Sequence, residues 1–224
     1  MLWNKSDNGS NGYNRSKRNT KLNAERIKRD VIVIGASAGG VKALTQLFAS
    51  LPSHMPAVIG VVLHRSASPG ELAYVLGRCS ALPVVEPGRN SSLKRGHIYL
   101  APPDHHLLFE KSGFAVQRGP MEHSTRPAVD PLFRSAAAVY ERRVVGVLLT
   151  GCGEDGVSGL LHISNEGGIT LVQDPDEAYM PYMPLNALRF DDICSIYPID
   201  EMGPALVALA NGKALIPNHR NHVR

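Results

Sequence analysis

Three residues of this chain stand where an apolar run gives way to glycine or to polar sequence, and their types are those of nucleophilic acyl chemistry. Ser37 lies in Gly35-Ala36-Ser37-Ala38-Gly39-Gly40, directly after Val31-Ile32-Val33-Ile34. His64 closes the run 57–63, and Asp155 lies in Gly151-Cys152-Gly153-Glu154-Asp155-Gly156 after the run 144–150. A serine hydroxyl becomes a useful nucleophile when an imidazole takes its proton and a carboxylate holds that imidazole in one tautomer. Each residue also has a plainer reading. The glycine-rich turn could be a tight connection or a degenerate phosphate-binding loop, the histidine a hydrogen-bonded strand end, and the aspartate a helix cap. Three suitable residues at three strand ends favour chemistry over three coincidences. The chain order Ser, His, Asp is not that of the α/β-hydrolases.

Other residues invite competing chemistry. Asp104-His105-His106 with His123 suggests a metal, but neighbouring residues on an extended chain point to opposite sides and no paired spacing such as His-x-x-x-His occurs, so no metal is expected. Cys152, between two glycines beside a helix start, could be an activated thiolate; its alternative is a small buried residue lining the site. The order of glycines around Ser37 is not Gly-x-Gly-x-x-Gly, and the second strand ends in His64 where a dinucleotide site needs an acid.

The elements that must position these residues alternate along the chain. Four β-branched residues before Ser37 predict a strand buried on both faces, followed by a helix over 41–50. Segment 57–63 predicts a second strand. Arg65-Ser66-Ala67-Ser68-Pro69-Gly70 opens a helix through Arg78, followed by a short third strand at 82–86, placed at an edge by Pro83. Segment 97–101 predicts a fourth. Segments 107–110 and 114–117, flanking Lys111-Ser112-Gly113, predict a hairpin, so the sheet is either mixed or carries a hairpin flap. A helix is expected over 129–140 with Asp130 as its N-cap and Pro131 in its first turn. Strands at 144–150, 169–173 and 193–197 alternate with helices at 157–166 and 201–210. The fold class is α/β, a doubly wound, mostly parallel sheet with an inserted β-hairpin, whose carboxyl edge gathers Ser37, His64 and Asp155.

Composition narrows the remaining classes. The 224 residues, 43% of them apolar, suit one core. Residues 1–30 carry eight Lys/Arg against three acids, a net +5, which leaves about −1 for the rest. Basicity thus belongs to the tail, and no nucleic-acid groove is expected on the body. The leader lacks an apolar stretch, which argues against a secretory signal and for disorder. No run is long enough to insert in a membrane, and three cysteines cannot all pair within one chain, so the cytoplasm is the expected compartment.

Taken together, Ile34-Gly35-Ala36-Ser37-Ala38-Gly39-Gly40, the strand ending in His64, Gly96-His97-Ile98-Tyr99-Leu100-Ala101-Pro102, Arg126-Pro127-Ala128-Val129-Asp130-Pro131-Leu132-Phe133, the segment 148–156 and Tyr182-Met183-Pro184 resemble the catalytic domain of the CheB-type chemotaxis protein-glutamate methylesterases. The resemblance spans about 30–212, and implies a basic tail at 1–29, a catalytic domain at 30–212 and a C-terminal tail at 213–224. It implies hydrolysis of glutamate γ-methyl esters on methyl-accepting chemoreceptors, with release of methanol, and deamidation of receptor glutamines. It puts Ser37, His64 and Asp155 on the family's triad, and Ala38, Gly39, Cys152, Gly153 and Met183 around substrate and oxyanion; it implies no cofactor. Further partners it admits are a receptor methyltransferase and a separate response regulator. This sequence departs from the family at Ala38, where Thr is usual, at Arg65-Ser66, where Met-Pro is common, and at Cys152, where Met is common. No receiver domain is expected in the 30 residues before the first strand. Two other functions compete: a non-catalytic module of the same fold binding receptor or methyltransferase, and a nucleotide-binding domain.

Overall fold

The structure is a computed structural model that describes residues 27–215 apart from 69, 89–90 and 190–193. The expected disordered leader therefore lies, but for its last residues, outside the described residues, as does most of the C-terminal tail. In chain order the elements are β1 (Val31–Ala36), α1 (Gly40–Ala49), β2 (Val58–Leu63), α2 (Leu72–Gly77), β3 (Val84–Val85), β4 (His97–Leu100), β5 (His106–Glu110), β6 (Gly113–Gln117), α3 (Val129–Tyr140), β7 (Val144–Leu148), α4 (Val157–Asn165), β8 (Ile169–Gln173), α5 (Tyr182–Leu188), β9 (Cys194–Tyr197) and α6 (Ile199–Ala210).

Seven strands form one sheet in the order β3-β4-β2-β1-β7-β8-β9, every pair parallel. The short β3 takes the edge that Pro83 predicts. The chain starts at the middle of the sheet, builds outward to β3, and returns to the other flank of β1 with β7. The switch in direction therefore falls between β1 and β7, where open α/β sheets leave a crevice outside the strand ends.

Both faces of the sheet are covered, which is why its strands read as continuous apolar runs. Ile32, Ile34, Ile59, Val61, Val145 and Val147 point to one side, against Leu44, Leu47 and Phe48 of α1 and Met202 and Leu206 of α6. Val31, Val33, Val58, Val62, Val144 and Leu148 point to the other, against Leu132, Phe133 and Leu160 of α3 and α4. The hairpin of β5 and β6 forms its own two-stranded sheet. Of the two expected arrangements the flap is the observed one: Phe109 and Phe114 pack under α3, and the Ser135 hydroxyl accepts the Phe109 N–H at 3.0 Å.

One local expectation is overturned. Asp130 is not the N-cap of α3; that position is Ala128, and Asp130 lies inside the first turn. Its carboxylate turns to another helix instead, accepting the N–H of Gly156 at 3.1 Å and of Gly159 at 2.6 Å at the start of α4.

Candidate active site

Ser37 and His64 are the residues immediately after the last paired positions of β1 and β2, Ala36 and Leu63. The ladder runs one bond further, the His64 N–H donating to the Ala36 carbonyl at 3.0 Å. Adjacent parallel strands lie about 4.8 Å apart, so this register sets the two residues side by side. On its other flank the Ser37 N–H donates to the Thr150 carbonyl at 3.0 Å, two residues beyond β7. Ser37 thus stands between the ends of two strands and at the crevice the topology creates.

The turn that carries it is clamped by Thr150, a role that the end of an apolar run does not signal. Its hydroxyl donates to the Ala38 carbonyl at 2.9 Å and accepts the Met180 N–H at 2.9 Å. Gly39 follows at φ 80°, a left-handed conformation natural to glycine, and a Cβ there would lie 2.7 Å from the Tyr179 Cβ. Gly151 packs still closer. A Cβ on it would run into the Met183 sulfur and lie 2.7 Å from the Ser37 Cβ. Met183 is fully buried beneath the site, held by its N–H on the Gly151 carbonyl at 3.0 Å.

His64 Nε2 meets Asp155 Oδ2 at 2.7 Å, with the aspartate almost wholly buried. The same carboxylate accepts the Val129 N–H at 2.7 Å and the Asp130 N–H at 2.9 Å, and so caps α3 rather than the helix that follows it in sequence. Burial pushes its carboxyl up, but the bonds from His64 and the two backbone N–H groups outweigh burial and hold it below the usual carboxylate value. An ionised carboxylate can only accept, so in the neutral imidazole the proton lies on His64 Nε2 and Nδ1 carries the lone pair.

Ala38 and Cys152 are exposed, as is Gly153; Gly39 is half-buried. The buried alternative for Cys152 is thereby corrected: its loop rises off the sheet edge and leaves the thiol in solvent. Asp104, His105 and His106 scatter from any common centre. Asp104 pairs with Arg118 and Arg126, His105 bonds the Pro103 carbonyl, and His106 donates to the Pro120 carbonyl. His123 instead joins Asp130, Nε2 to Oδ2 at 2.9 Å. One donor atom each from His123, Asp130 and Asp155 lie within 4.8 Å of one another, but the carboxylates are already occupied by backbone N–H groups and imidazoles. In the sequence His123 stands only as a candidate metal ligand and Asp130 only as a candidate cap. Their meeting depends on how the 119–126 loop folds over α3, which spacing alone does not encode. A cleft of about 530 Å³ borders the Ser37 turn through Gly39 and Thr150, with Lys42, Gln46 and Tyr179 on its walls.

The CheB methylesterase family matches residues 32–206, most of the chain and all of these elements up to the middle of α6. The chain belongs to the CheB methylesterase family. A relative from Leptospira interrogans is 35% identical over 182 residues, 80% of this chain and 94% of that protein. One from Moorella thermoacetica, named protein-glutamate methylesterase/protein-glutamine glutaminase, is 36% identical over 198 residues, 86% of this chain and 47% of that protein. The chain thus spans nearly all of the first relative and about half the length of the second. The crystal structure of the Thermotoga maritima CheB methylesterase catalytic domain superposes with a TM-score of 0.77 at 30% identity, over 80% of this chain and 98% of that one. Among the described residues no helix is long and apolar enough to cross a membrane.

Proposed function

We propose that the chain is a protein-glutamate methylesterase of the cytoplasm that hydrolyses glutamate γ-methyl esters on chemoreceptor-type proteins, and deamidates glutamine side chains by the same acyl chemistry. Ser37 Oγ attacks the ester carbonyl as His64 Nδ1 takes its proton. The tetrahedral intermediate collapses with the C–O bond to methoxide breaking, His64 returns the proton, and methanol leaves. Water then attacks the acyl-serine with His64 again as base, releasing the glutamate and restoring Ser37. Asp155 keeps the imidazole in the tautomer with Nδ1 free and stabilises its charged form. The Ala38 and Gly39 N–H groups at the amino end of α1 are the donors we assign to the oxyanion, with Cys152 and Gly153 on the facing loop and Met183 as the floor.

The observation that carries this reading is the 2.7 Å pairing of His64 with a buried, ionised Asp155, one residue beyond the β1–β2 register that ends beside Ser37. The test is methanol release from methyl-labelled receptor. Wild type should release it, Ser37→Ala should lower turnover by orders of magnitude, and Cys152→Ala should be mild. Full activity in Ser37→Ala with loss in Cys152→Ala would replace the serine mechanism with a cysteine one. No release by wild type would leave a binding module of the same fold.

A further inference from the structure

His123 and Asp130 form a second imidazole–carboxylate pair set against the first. Asp130 spends one oxygen on the amino end of α4 and gives the other to His123, while Asp155 spends its oxygens on the amino end of α3 and on His64. Two buried carboxylates therefore sit together, each backed by helix N–H groups and each facing one histidine. Burial pushes the Asp130 carboxyl up, the Gly159 N–H and His123 pull it down, and the charge of Asp155 pushes it up further.

The two pairs differ in their access to solvent. The His123 side chain is 40% exposed against 13% for His64, so of the two imidazoles it is the one that water reaches. The backbone also favours a role for His123. Glu122 and Thr125 close a two-residue turn by paired bonds of 3.2 and 2.8 Å, with His123 at φ 49° and Ser124 at φ 59°. Such a turn suits Asn-Gly, and here a bulkier His-Ser pair occupies it. Thr125, the residue that closes the turn, brings its hydroxyl to 3.5 Å from His64 Nε2.

We propose that His123 is a positioning residue that tunes the base His64 by charge, taking a solvent proton at Nδ1 while its Nε2–H remains on Asp130, and so cancelling the second negative charge beside Asp155. The inference rests on the assignment of His64 as catalytic base. With His123 protonated, the outer pair is neutral and the field that would hold a proton on His64 is weakened, so the base stays free to lower pH. The groups facing this pair are Asp155 from the 151–156 loop, His64 from the end of β2, and Arg134 of α3, itself bound by Glu122 of the 119–126 loop at 2.8 Å. From α4 it is met by the Gly159 N–H.

The test uses the whole chain and compares wild type, His123→Gln, Asp130→Asn and a distant control, His54→Gln. The Gln amide can still donate to Asp130 but cannot take up a proton, so the acid limb of kcat/KM for methanol release should move to higher pH. Asp130→Asn removes a negative charge and should move it to lower pH. Shifts of about half a pH unit are the scale of one charge acting through several ångströms of protein. A merely structural role would lower stability in both variants without moving the limbs in opposite directions. The second readout is the NMR titration of the His64 ring, which needs no turnover. Its midpoint should rise in His123→Gln, whether or not Asp130→Asn folds. Coincident His64 titrations in wild type, His123→Gln and His54→Gln overturn the proposal. Absence of Ser37-dependent methanol release with a shifted His64 titration would overturn the esterase reading and leave the charge coupling standing.

Discussion

Asp155 serves both an imidazole and the amino end of a helix. Oδ2 takes the His64 Nε2–H and the Val129 N–H, and Oδ1 takes the Asp130 N–H. Its folded-state carboxyl lies below the ordinary 3.8 of the unfolded chain. The sign follows: the stability it contributes is fully present above that unfolded value and is lost as pH falls through the folded one. Asp155→Asn keeps the shape but loses the charge-assisted bonds, and should lower unfolding free energy by about 2 kcal/mol at neutral pH. The gap to wild type should narrow in urea titrations below about pH 4; an equal gap at both pH values would mean that the charge contributes nothing. Ser37, His64 and Asp155 were legible in the sequence because each follows an apolar run, and the end of a buried strand is a place that local pattern marks. His123, Asp130 and Thr150 were not. Their roles arise from contacts between segments far apart in sequence, such as Thr150 to Ala38 and Asp130 to Gly159.

The strand-to-helix loops must approach one another closely, and Gly151 is where β7's loop does so. Its neighbours are Met183 from below and Ser37 from the side, so the element that ends β7 also sets how deep α5 can rise. Gly151→Ala should overpack this junction by about 1–3 kcal/mol and displace the serine. Thermal melts should show the lower stability, and Ser37-dependent turnover should fall further than stability alone explains. An unchanged melting temperature with full turnover would mean that the junction can give. At this scale most elements were legible from apolar periodicity: β8 spans 169–173 and α3 spans 129–140, as read. The hairpin's place was open because β5 and β6 are set by packing under α3, and a local pattern shows a hairpin but not what it lies against. Helix α2 begins only at Leu72, after the Ser-Pro-Gly segment that suggested an earlier start.

The body of the molecule begins at Arg29 and Asp30. The Arg29 N–H donates to the Leu209 carbonyl, and Asp30 is clasped by Arg95 and Arg143. Removing residues 1–26 leaves these contacts in place, so melting temperature and turnover on receptor at moderate salt should be retained; a large loss of stability would show that the leader packs on the body. The +5 of residues 1–30 should appear instead in the salt dependence of association with an acidic partner. The reciprocal capping of α3 by Asp155 and α4 by Asp130 also bears on how such a molecule would decay in evolution. A lineage that abandoned the proposed reaction for a binding role would be free to replace the Ser37 side chain, since the residue serves α1 only through its backbone carbonyl, long before it could replace Asp155. If Ser37 is the nucleophile proposed above, an aspartate at this position among descendants of this fold marks ancestry, and the serine marks a working enzyme.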